Sequence, residues 1–427
     1  MSPTRVLLAL GLILACAASS HAQTFGGTKV VETGVAYPGI GTFNSFVIPP
    51  DVIRPSISGT VVSFGGTLST GAPELARAGV TGMDAIATTS IAIPGGGGNF
   101  LTFAPLPLGL SGGVYTFRGK GSSPTTDGIY SNASGSLAAV VSIGMANPTG
   151  GTFTNIAGGA VSGTTVTFIG TSVPNGPPTA VYTRTGGGSI LPIVTTSSTM
   201  PGGAGNFANF ADPSGNTYTP NISGPNVVFG GRNASGSSFG LFMTNGFGVT
   251  AVATNATAIP NGTDNFTALS PVPAISGSNV AFQAFGANGQ QGVYRSVGGV
   301  LSRVADRNTP VPGAPGTTFD SFLFMDVAIS GDRVAFRGHG TGGTDGIYTD
   351  LTGTLMKVIA VGDTLDGKTV SVMDISQFAF DGNRIAVVAG FTNGSTGVYT
   401  FTPVPEPTGL LAIGVAGLLA ATIRKRR

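Results

Sequence analysis

The stretch Ile275-Ser276-Gly277-Ser278-Asn279-Val280-Ala281-Phe282 decides the fold, because its pattern recurs along the chain. The form Ile-Ser-Gly-x-x-Val-x-Phe occupies residues 57–64, 110–117, 161–168, 222–229, 275–282 and 329–336, with a degenerate copy at 380–387. Its central glycines are separated by 53, 51, 61, 53, 54 and 51 residues. This period suits one four-stranded propeller blade with long loops, so each copy predicts one blade.

Two further elements keep the same period. An apolar pair, such as Phe266/Leu269, precedes each motif, and a short strand, such as Gly292-Val293-Tyr294, follows it. The first repeat has only Glu74-Leu75-Ala76 at the second position, which predicts an irregular first blade. We interpret the Val and Phe residues as core, the glycines as turn positions and the tyrosines as caps of strands.

The ends of the repeat array predict how the ring closes. The seventh unit stops after Tyr399 without a last strand, whereas Lys29-Val30-Val31-Glu32 stands before the first repeat without a blade of its own. Aligned on the Pro-Gly turns, Val31 corresponds to Ala305. We therefore predict an all-β, seven-bladed β-propeller over residues 23–402, closed by an N-terminal strand that pairs near Val398. The alternative is a parallel β-helix with two coils per repeat, in which that strand has no use.

The C-terminus, residues 403–427, combines three elements. Val404-Pro405-Glu406-Pro407 comes first, an uncharged apolar stretch covers residues 408–423, and Arg424-Lys425-Arg426-Arg427 ends the chain. As a helix, the apolar stretch would span roughly 24 Å, less than the ~30 Å hydrocarbon core of a bilayer. The four cations favour a cytoplasmic end, which places the upstream chain outside the cytoplasm. An ordinary tail anchor and a processing signal both fit these properties.

These three elements, in this order, closely resemble the PEP-CTERM sorting signal of exported bacterial proteins. The resemblance implies that a membrane-embedded exosortase recognises a single transmembrane helix and cleaves near Pro405 to Thr408. The repeats over about residues 28–402 also resemble tandem repeats of the Pro-Val-Pro-Gly and Ile-Ser-Gly-x-x-Val-Ala-Phe type in such proteins. That second resemblance names no activity.

The N-terminus predicts export as well. Arg5 precedes an apolar segment from Val6 to Ala18, and Ser20-His21-Ala22 is a signal peptidase site, so residues 1–22 form a signal peptide cleaved after Ala22. Ile13-Leu14-Ala15-Cys16 is a loose lipobox, which gives lipidation at Cys16 as the alternative. Cleavage after Ala22 would leave no cysteine in the mature protein.

Composition excludes several functional classes. Without Arg5 and the four C-terminal cations, 15 basic residues stand against 18 acidic ones, so no basic field attracts nucleic acid. With 70 Gly and 28 Pro, the chain favours short strands over long helices. Zinc and copper sites need several His or Cys ligands, and the mature chain would keep His339 alone.

Candidate chemical groups are few. His339 lies between two glycines, which predicts a turn in preference to a catalytic triad. Asp345-Gly346, Asp366-Gly367 and Asp381-Gly382 are typical turn dipeptides whose carboxylates bond local backbone. Asp363, Asp366 and Asp374 could instead gather on one rim as a weak calcium site or a carboxylate pair for glycoside cleavage, although their spacing matches no calcium loop.

Two functional classes follow. The first is a non-enzymatic protein of the cell surface or extracellular matrix, whose propeller binds polysaccharide or another partner. The second is a carbohydrate-active enzyme, or a calcium-dependent glycan-binding protein, that uses the rim aspartates. The lack of catalytic residue patterns favours the first class.

Overall fold

A computed structural model describes residues 24–48, 51–52, 54–79, 82–104, 107–174, 176–202, 205–211, 215 and 217–404. The predicted signal peptide, its cleavage site at Ala22 and the tail from Pro405 onward lie outside these ranges. Two short 3-10 helices cover Pro124–Thr126 and Ala287–Gly289. The strands, in chain order, are β1 (Phe25–Glu32), β2 (Ala36–Tyr37), β3 (Gly41–Ser45), β4 (Val47–Ile48), β5 (Asp51–Val52), β6 (Ser56–Ser58), β7 (Val61–Leu68), β8 (Pro73–Gly79), β9 (Gly82–Thr88), β10 (Thr102–Phe103), β11 (Gly109–Ser111), β12 (Val114–Lys120), β13 (Gly128–Ser131), β14 (Ala138–Ser142), β15 (Asn155–Ser162), β16 (Thr165–Thr171), β17 (Ala180–Thr185), β18 (Ile190–Thr195), β19 (Asn221–Ser223), β20 (Asn226–Arg232), β21 (Phe239–Thr244), β22 (Val249–Thr254), β23 (Phe266–Leu269), β24 (Ala274–Ser276), β25 (Asn279–Gly286), β26 (Gln291–Val297), β27 (Val300–Asp306), β28 (Phe319–Ser330), β29 (Arg333–Gly340), β30 (Thr344–Thr349), β31 (Met356–Ala360), β32 (Thr364–Leu365), β33 (Lys368–Asp374), β34 (Phe380–Asp381), β35 (Arg384–Phe391) and β36 (Thr396–Pro403).

The described strands form seven blades. Blade 1 contains β2, β3 and β6–β9, blade 2 β10–β14, blade 3 β15–β18, blade 4 β19–β22, blade 5 β23–β27, blade 6 β28–β31, and blade 7 β32–β36 together with β1. Strands β4 and β5 pair only with each other. Successive strands of a blade pair antiparallel, as β15 to β18 do. The predicted seven-bladed propeller is therefore confirmed, and the parallel β-helix is excluded.

The innermost strands meet in one closed circle. Each innermost strand contacts that of the next blade, in the order β6, β11, β15, β19, β24, β28, β34 and back to β6. In blades 3 and 6 the innermost strand continues through a register shift, whereas blades 1, 2, 5 and 7 build it from two separate segments. The ends of these strands carry the Ile-Ser pairs of the repeated motif.

The repeated motif holds neighbouring blades together. Its glycine begins the turn between the first and second strands at a φ of 56–63°, where glycine is favoured. The glycine N–H donates to the motif serine of the preceding blade, for example Gly277 N to Ser223 Oγ at 2.8 Å. Five other interfaces repeat this bond at 2.8–2.9 Å. Blade 7 has Asp381 in place of serine, and its carboxylate accepts the N–H of Gly59 at 2.5 Å.

This ring corrects one prediction. The sequence predicted that the Asp381 carboxylate bonds local backbone, but it bonds blade 1, more than 300 residues away along the chain. The turn itself is as predicted, since Gly382 has a φ of 60°. Serine at six interfaces and Asp381 at the seventh each supply an oxygen to the motif glycine N–H of the next blade. The two residue types can be recognised as equivalent only once the ring is closed.

The core lies between adjacent blades. In five blades the first aromatic residue of the apolar pair meets the aromatic ring of the third strand edge to face, as Phe266 and Tyr294 do at 5.0 Å. The tyrosine rings are almost completely buried, so their predicted role as caps of strands is wrong. Edge-to-face contacts of this kind add about 0.5–1.5 kcal/mol beyond the burial of their area.

The N-terminal strand completes blade 7 as predicted. Strand β1 follows β36 at the outer edge of the sheet. Val31 is fully buried in a cluster with Phe43 and Phe64 of blade 1 and Val398 of blade 7. Val31 of blade 7 and Ala305 of blade 5 take equivalent positions beside the third strand. A Cβ added to Gly397 would lie 2.9 Å from Val31 O, and a Cβ added to Gly292 would lie 2.7 Å from Ala305 O. The last strand includes Pro403, which the sequence had placed in the exposed spacer.

Blade 1 is regular, contrary to prediction. Ala76 pairs with Phe64, and a register shift falls between Leu75 and Ala76. The same shift precedes the aromatic residue in blades 2 to 6. Ala76 thus replaces the aromatic residue and Glu74 replaces the small residue two positions earlier, on the same face of the strand. The strand keeps its register because backbone pairing does not depend on these side chains.

We expect Asp381→Ala to lower the free energy of unfolding by about 1 kcal/mol, because the closing hydrogen bond to Gly59 loses its acceptor. Asp381→Ser supplies the acceptor used at the other six interfaces and should lie within about 0.5 kcal/mol of the wild type. Guanidinium denaturation of the three proteins measures both values. Equal losses for alanine and serine would show that the bond contributes nothing.

Val31→Asp should destabilise the propeller by at least ~3 kcal/mol, because an unpaired carboxylate would enter the core between blades 7 and 1. Val35→Asp is the matched control, since Val35 follows β1 and is 43% exposed. Thermal unfolding and limited proteolysis compare the variants. A Tm for Val31→Asp equal to that of Val35→Asp would contradict closure by β1.

Candidate functional site

Asp363 belongs to a turn at the end of blade 6. Its carboxylate accepts the N–H of Ala360 at 2.8 Å and a bond from Lys357 Nζ at 2.8 Å. Thr309, Thr257 and Ser198 accept the equivalent N–H in blades 5, 4 and 3. Asp363 is therefore the acidic version of a turn residue found in other repeats. Alignment of Asp363 with Thr309 in the sequence would have indicated this role.

Asp366 holds the N-terminal strand. It lies at a φ of 51° in the turn between β32 and β33, so the predicted turn is confirmed. Its carboxylate, however, accepts a bond from Lys29 Nζ of β1 at 2.7 Å. Lys29 also bonds Glu32 at 3.0 Å, and Lys368 Nζ bonds the other oxygen of Glu32. The lysine bonds lower the pKa values of Asp366 and Glu32, although burial opposes the shift at Glu32. This network fastens β1 to blade 7.

Asp374 is buried among charged groups from three blades. Arg54 of blade 1 donates from Nε to Asp374 Oδ2 at 2.8 Å, and its Nη2 lies 3.4 Å from Asp326 Oδ1 of blade 6. Arg337 of blade 6 approaches Asp374 Oδ1 at 3.9 Å. We call Arg54, Asp326, Arg337, Asp345 and Asp374 the closure cluster, because it joins the last two blades to the first.

Asp345 anchors the outer part of the closure cluster. Arg337 donates to it through Nε at 3.0 Å and Nη2 at 2.7 Å, a bidentate pair. Asp345 lies within β30, so its predicted turn is wrong. The same pair recurs in blade 2 between Arg118 and Asp127. The sequence signal was the shared Phe-Arg-Gly followed by Asp-Gly-Ile-Tyr in both repeats.

His339 lies in β29, contrary to the predicted turn. Its Nδ1 is 3.7 Å from Asp345 Oδ1, a carboxylate that Arg337 already occupies. Ser321, which pairs with His339 in the sheet register, donates its hydroxyl to Asp320 at 3.1 Å. The sheet therefore brings a serine, a histidine and an aspartate near one another without the hydrogen bonds of a catalytic triad.

Asp326 is a buried acid. Its side chain has no exposed surface, and no donor within the described ranges hydrogen-bonds either of its oxygens. Burial, followed by the Asp374 carboxylate, raises the pKa of Asp326 well above its usual value, although Arg54 and Arg337 oppose this. When Asp326 carries a proton, two guanidinium groups face two carboxylates and the charges of the closure cluster balance.

Glu74 is a second buried acid. It is 2% exposed, and burial raises its pKa to about 7. It lies in β8 of blade 1, where the other described third strands have glycine or alanine. Sequence reasoning missed both Asp326 and Glu74, because an isolated carboxylate has no spacing pattern.

The centre of the ring is closed by a loop of blade 7. A depression of about 160 Å³ lies beside the Ile-Ser-Gly turns and ends at Gln377 and Phe378, which also line a cavity of about 20 Å³ with Gly158 and Thr219. Ser376 Oγ fixes this loop by donating to Pro55 O at 2.7 Å. Across the described ranges, no group of three or more His, Cys, Asp or Glu side chains is placed to hold a metal ion. Asp363, Asp366 and Asp374 each have a different set of basic partners.

Asp326→Asn should raise the Tm at pH 7–8. An acid whose folded pKa is raised costs no stability below its unfolded pKa of about 3.9, and the cost grows as the pH rises from there until it is complete above the folded pKa. Asparagine has nearly the same shape and stays neutral at every pH in this range. Calorimetry from pH 4 to pH 9 should show the two proteins diverging as the pH increases.

Asp374→Asn is the control for this measurement, because it removes the ion pair with Arg54 and should lower the Tm at pH 7–8. A pH-independent effect of Asp326→Asn would contradict the assignment of a buried neutral acid.

Of the predicted sorting residues, the structure describes Val404 alone. Pro405, Glu406, Pro407, the apolar stretch and Arg424, Lys425, Arg426 and Arg427 lie outside the described ranges. Among the residues that are described, no helix is long and apolar enough to cross a membrane.

Several solved structures have a similar fold. A Mycobacterium tuberculosis puromycin-hydrolyzing peptidase is 14% identical, with a TM-score of 0.44 over 83% of this chain and 51% of the peptidase. A Pyrococcus horikoshii acylaminoacyl peptidase is 10% identical, with a TM-score of 0.40 over 71% and 44% of the two chains. The Aleuria aurantia lectin in complex with α-methyl-L-fucoside is 10% identical, with a TM-score of 0.34 over 81% and 97%. The chain spans about half the length of the peptidase matched first.

These similarities concern the fold alone. No curated protein matches the chain. The sequence model of a family of unknown function, DUF7453, matches residues 22–411 and so covers the whole described propeller. The chain belongs to the DUF7453 family.

Proposed function

We propose that this protein is an exported, non-enzymatic protein of the cell envelope or extracellular matrix, whose propeller binds a partner such as polysaccharide. Its signal peptide is removed by signal peptidase after Ala22. Its C-terminal helix holds it in the inner membrane until an exosortase cleaves beside Val404-Pro405-Glu406-Pro407. The PEP-CTERM resemblance of the tail supports this route.

The pairing of the two described chain ends carries the proposal. The N–H of Val404 donates to the carbonyl of Thr24 at 2.8 Å. Thr24 is the second residue after the predicted cleavage site at Ala22, and Val404 begins the sorting motif. Every strand of the seven blades therefore lies between Ala22 and Val404. Removal of both segments leaves the propeller sequence intact.

The charged residues favour binding or structural roles over catalysis. The carboxylates of Asp345, Asp363, Asp366 and Asp374 are held by lysine or arginine. These partners fasten the N-terminal strand, a turn and the closure cluster. Ion pairs that complete the fold would have to break before the same groups could hold calcium or a substrate.

A carbohydrate-active enzyme is the second candidate, and one observation favours it. The acid Asp326 lies beside the carboxylate Asp374, the combination that general acid–base cleavage of glycosides requires. Turnover of aryl glycosides that is lost in both Asp326→Asn and Asp374→Asn would support this candidate over the first. Its weakness is geometric, because Asp326 has no exposed surface for a substrate to reach.

The sorting route can be tested in a bacterium that carries an exosortase. The wild-type chain should lose its C-terminal segment, whereas a variant with Pro405→Ala, Glu406→Ala and Pro407→Ala should remain full length in the membrane fraction. Pro403→Ala, within β36, is the matched control and should be processed normally. Mass spectrometry of each product measures the cleavage. Identical products in a strain without exosortase would contradict the proposal.

A further inference from the structure

A cavity of about 390 Å³ lies in blade 2. Its walls are Ile93 and Pro94 before the second repeat, Thr125 in the 3-10 helix, Ser142 at the end of the outer strand β14, and Ile143 and Met145 after it. This volume falls within the range of about 300–1,000 Å³ typical of small-molecule sites. Sequence analysis did not single out these residues.

The equivalent groove in blade 5 is filled. Ile143 N donates to Asp127 O, and Arg307 N donates to Gln291 O, so Ile143 and Arg307 occupy the same position in the two blades. Around Arg307 and Gln290 the groove retains only about 20 Å³. Blade 2 has Thr126 at the position of Gln290. The smaller Thr126 and the uncharged Ile143 therefore leave the groove in blade 2 open.

A run of four glycines begins at one edge of the cavity, which Gly95 and Gly96 line. Gly95 to Gly98 have φ values between 89° and 103°, where side chains are rarely tolerated. A Cβ on Gly97 would lie 2.8 Å from Thr126 Cγ2, so glycine is required for the loop to approach Thr126. Of the two lining glycines, Gly96 donates its N–H to Ile93 O, whereas the N–H of Gly95 has no acceptor within the described chain. The Gly95 N–H is therefore the backbone donor that a ligand in the cavity can use.

The lining defines the chemistry of that ligand. No charged side chain lines the cavity, which argues against an anion or a cation. Ile93, Pro94, Ile143 and Met145 provide an apolar wall, while the hydroxyls of Thr125 and Ser142 and the N–H of Gly95 provide polar contacts. A neutral molecule with several hydroxyls and one apolar substituent satisfies both walls.

We infer that the blade 2 cavity binds a neutral sugar unit that carries an acetamido or methyl group. The apolar substituent packs against Ile143 and Met145, and the ring hydroxyls and any carbonyl oxygen bond Ser142, Thr125 and the N–H of Gly95. This site rests on the proposed binding of polysaccharide and identifies which sugar the propeller recognises. A repetitive polymer offers many such sugar units, so it should retain the protein on a column even where binding of the free single sugar is weak.

The test uses the full-length chain purified in detergent. The probes are N-acetylglucosamine, N-acetylgalactosamine, rhamnose and, as a control without an apolar substituent, glucose. Saturation-transfer NMR and calorimetry measure binding, with and without calcium, and a column assay measures retention of the matrix polysaccharide of the producing bacterium. At least one substituted sugar should bind more tightly than glucose, and calcium should have no effect.

Ile143→Arg copies the filling residue of blade 5 and should weaken this binding at least about tenfold. Thr196→Arg is the matched control, because Thr196 N donates to Thr179 O at the same position of blade 3, and it should bind as the wild type does. Ser142→Ala removes one hydroxyl with little change in packing and should weaken binding several-fold. It decides the result if Ile143→Arg does not fold.

The outcomes separate the site from the function. Equal sugar binding by Ser142→Ala, Ile143→Arg and the wild type would overturn the cavity as the site while leaving the binding function. Retention of the polymer without binding of any substituted sugar would do the same. Failure of the wild-type chain to bind any sugar or retain the polymer would overturn both proposals.

Discussion

Backbone N–H groups at the seven Ile-Ser-Gly turns donate to an oxygen of the preceding blade, and the rest of the ring depends on this repeated hydrogen bond. The turn requires a positive φ, which explains its glycine, and the next turn requires an acceptor, which explains its serine. The bond fixes the innermost strands relative to one another. Aromatic and aliphatic side chains then fill the space that remains between the blades.

Closure of the ring is the most demanding step of this arrangement. The last blade lacks an outer strand of its own, and β1 supplies it from the other end of the chain. Charged residues concentrate where this closure occurs. Lys29, Glu32, Lys368 and Asp366 hold β1, the closure cluster joins blades 6, 7 and 1, and Asp381 supplies the seventh acceptor. The aspartates at this closure thus serve structural contacts.

Comparison of equivalent positions in the seven blades shows where individual blades differ. The groove before the third strand has the same backbone contacts in blades 2 and 5, but Arg307 and Gln290 fill one while Ile143 and Thr126 leave the other open. Similarly, Glu74 and Ala76 replace a small residue and an aromatic one in blade 1 without any change in register. A backbone that keeps its pairing can vary its side chains, and those variations are where a specific binding site can arise.

The sequence by itself determined the number of blades, the equivalence of Val31 and Ala305 and the position of every Ile-Ser-Gly turn, because each follows from a pattern repeated at a fixed interval. Only the tertiary structure showed that Asp381 reaches Gly59, that Asp374 lies beside Asp326, that His339 is in a strand and that blade 2 contains a cavity. These features join residues from different repeats, or depend on side-chain volume at single positions. Local sequence patterns carry no information about such contacts until the closed ring brings the blades together.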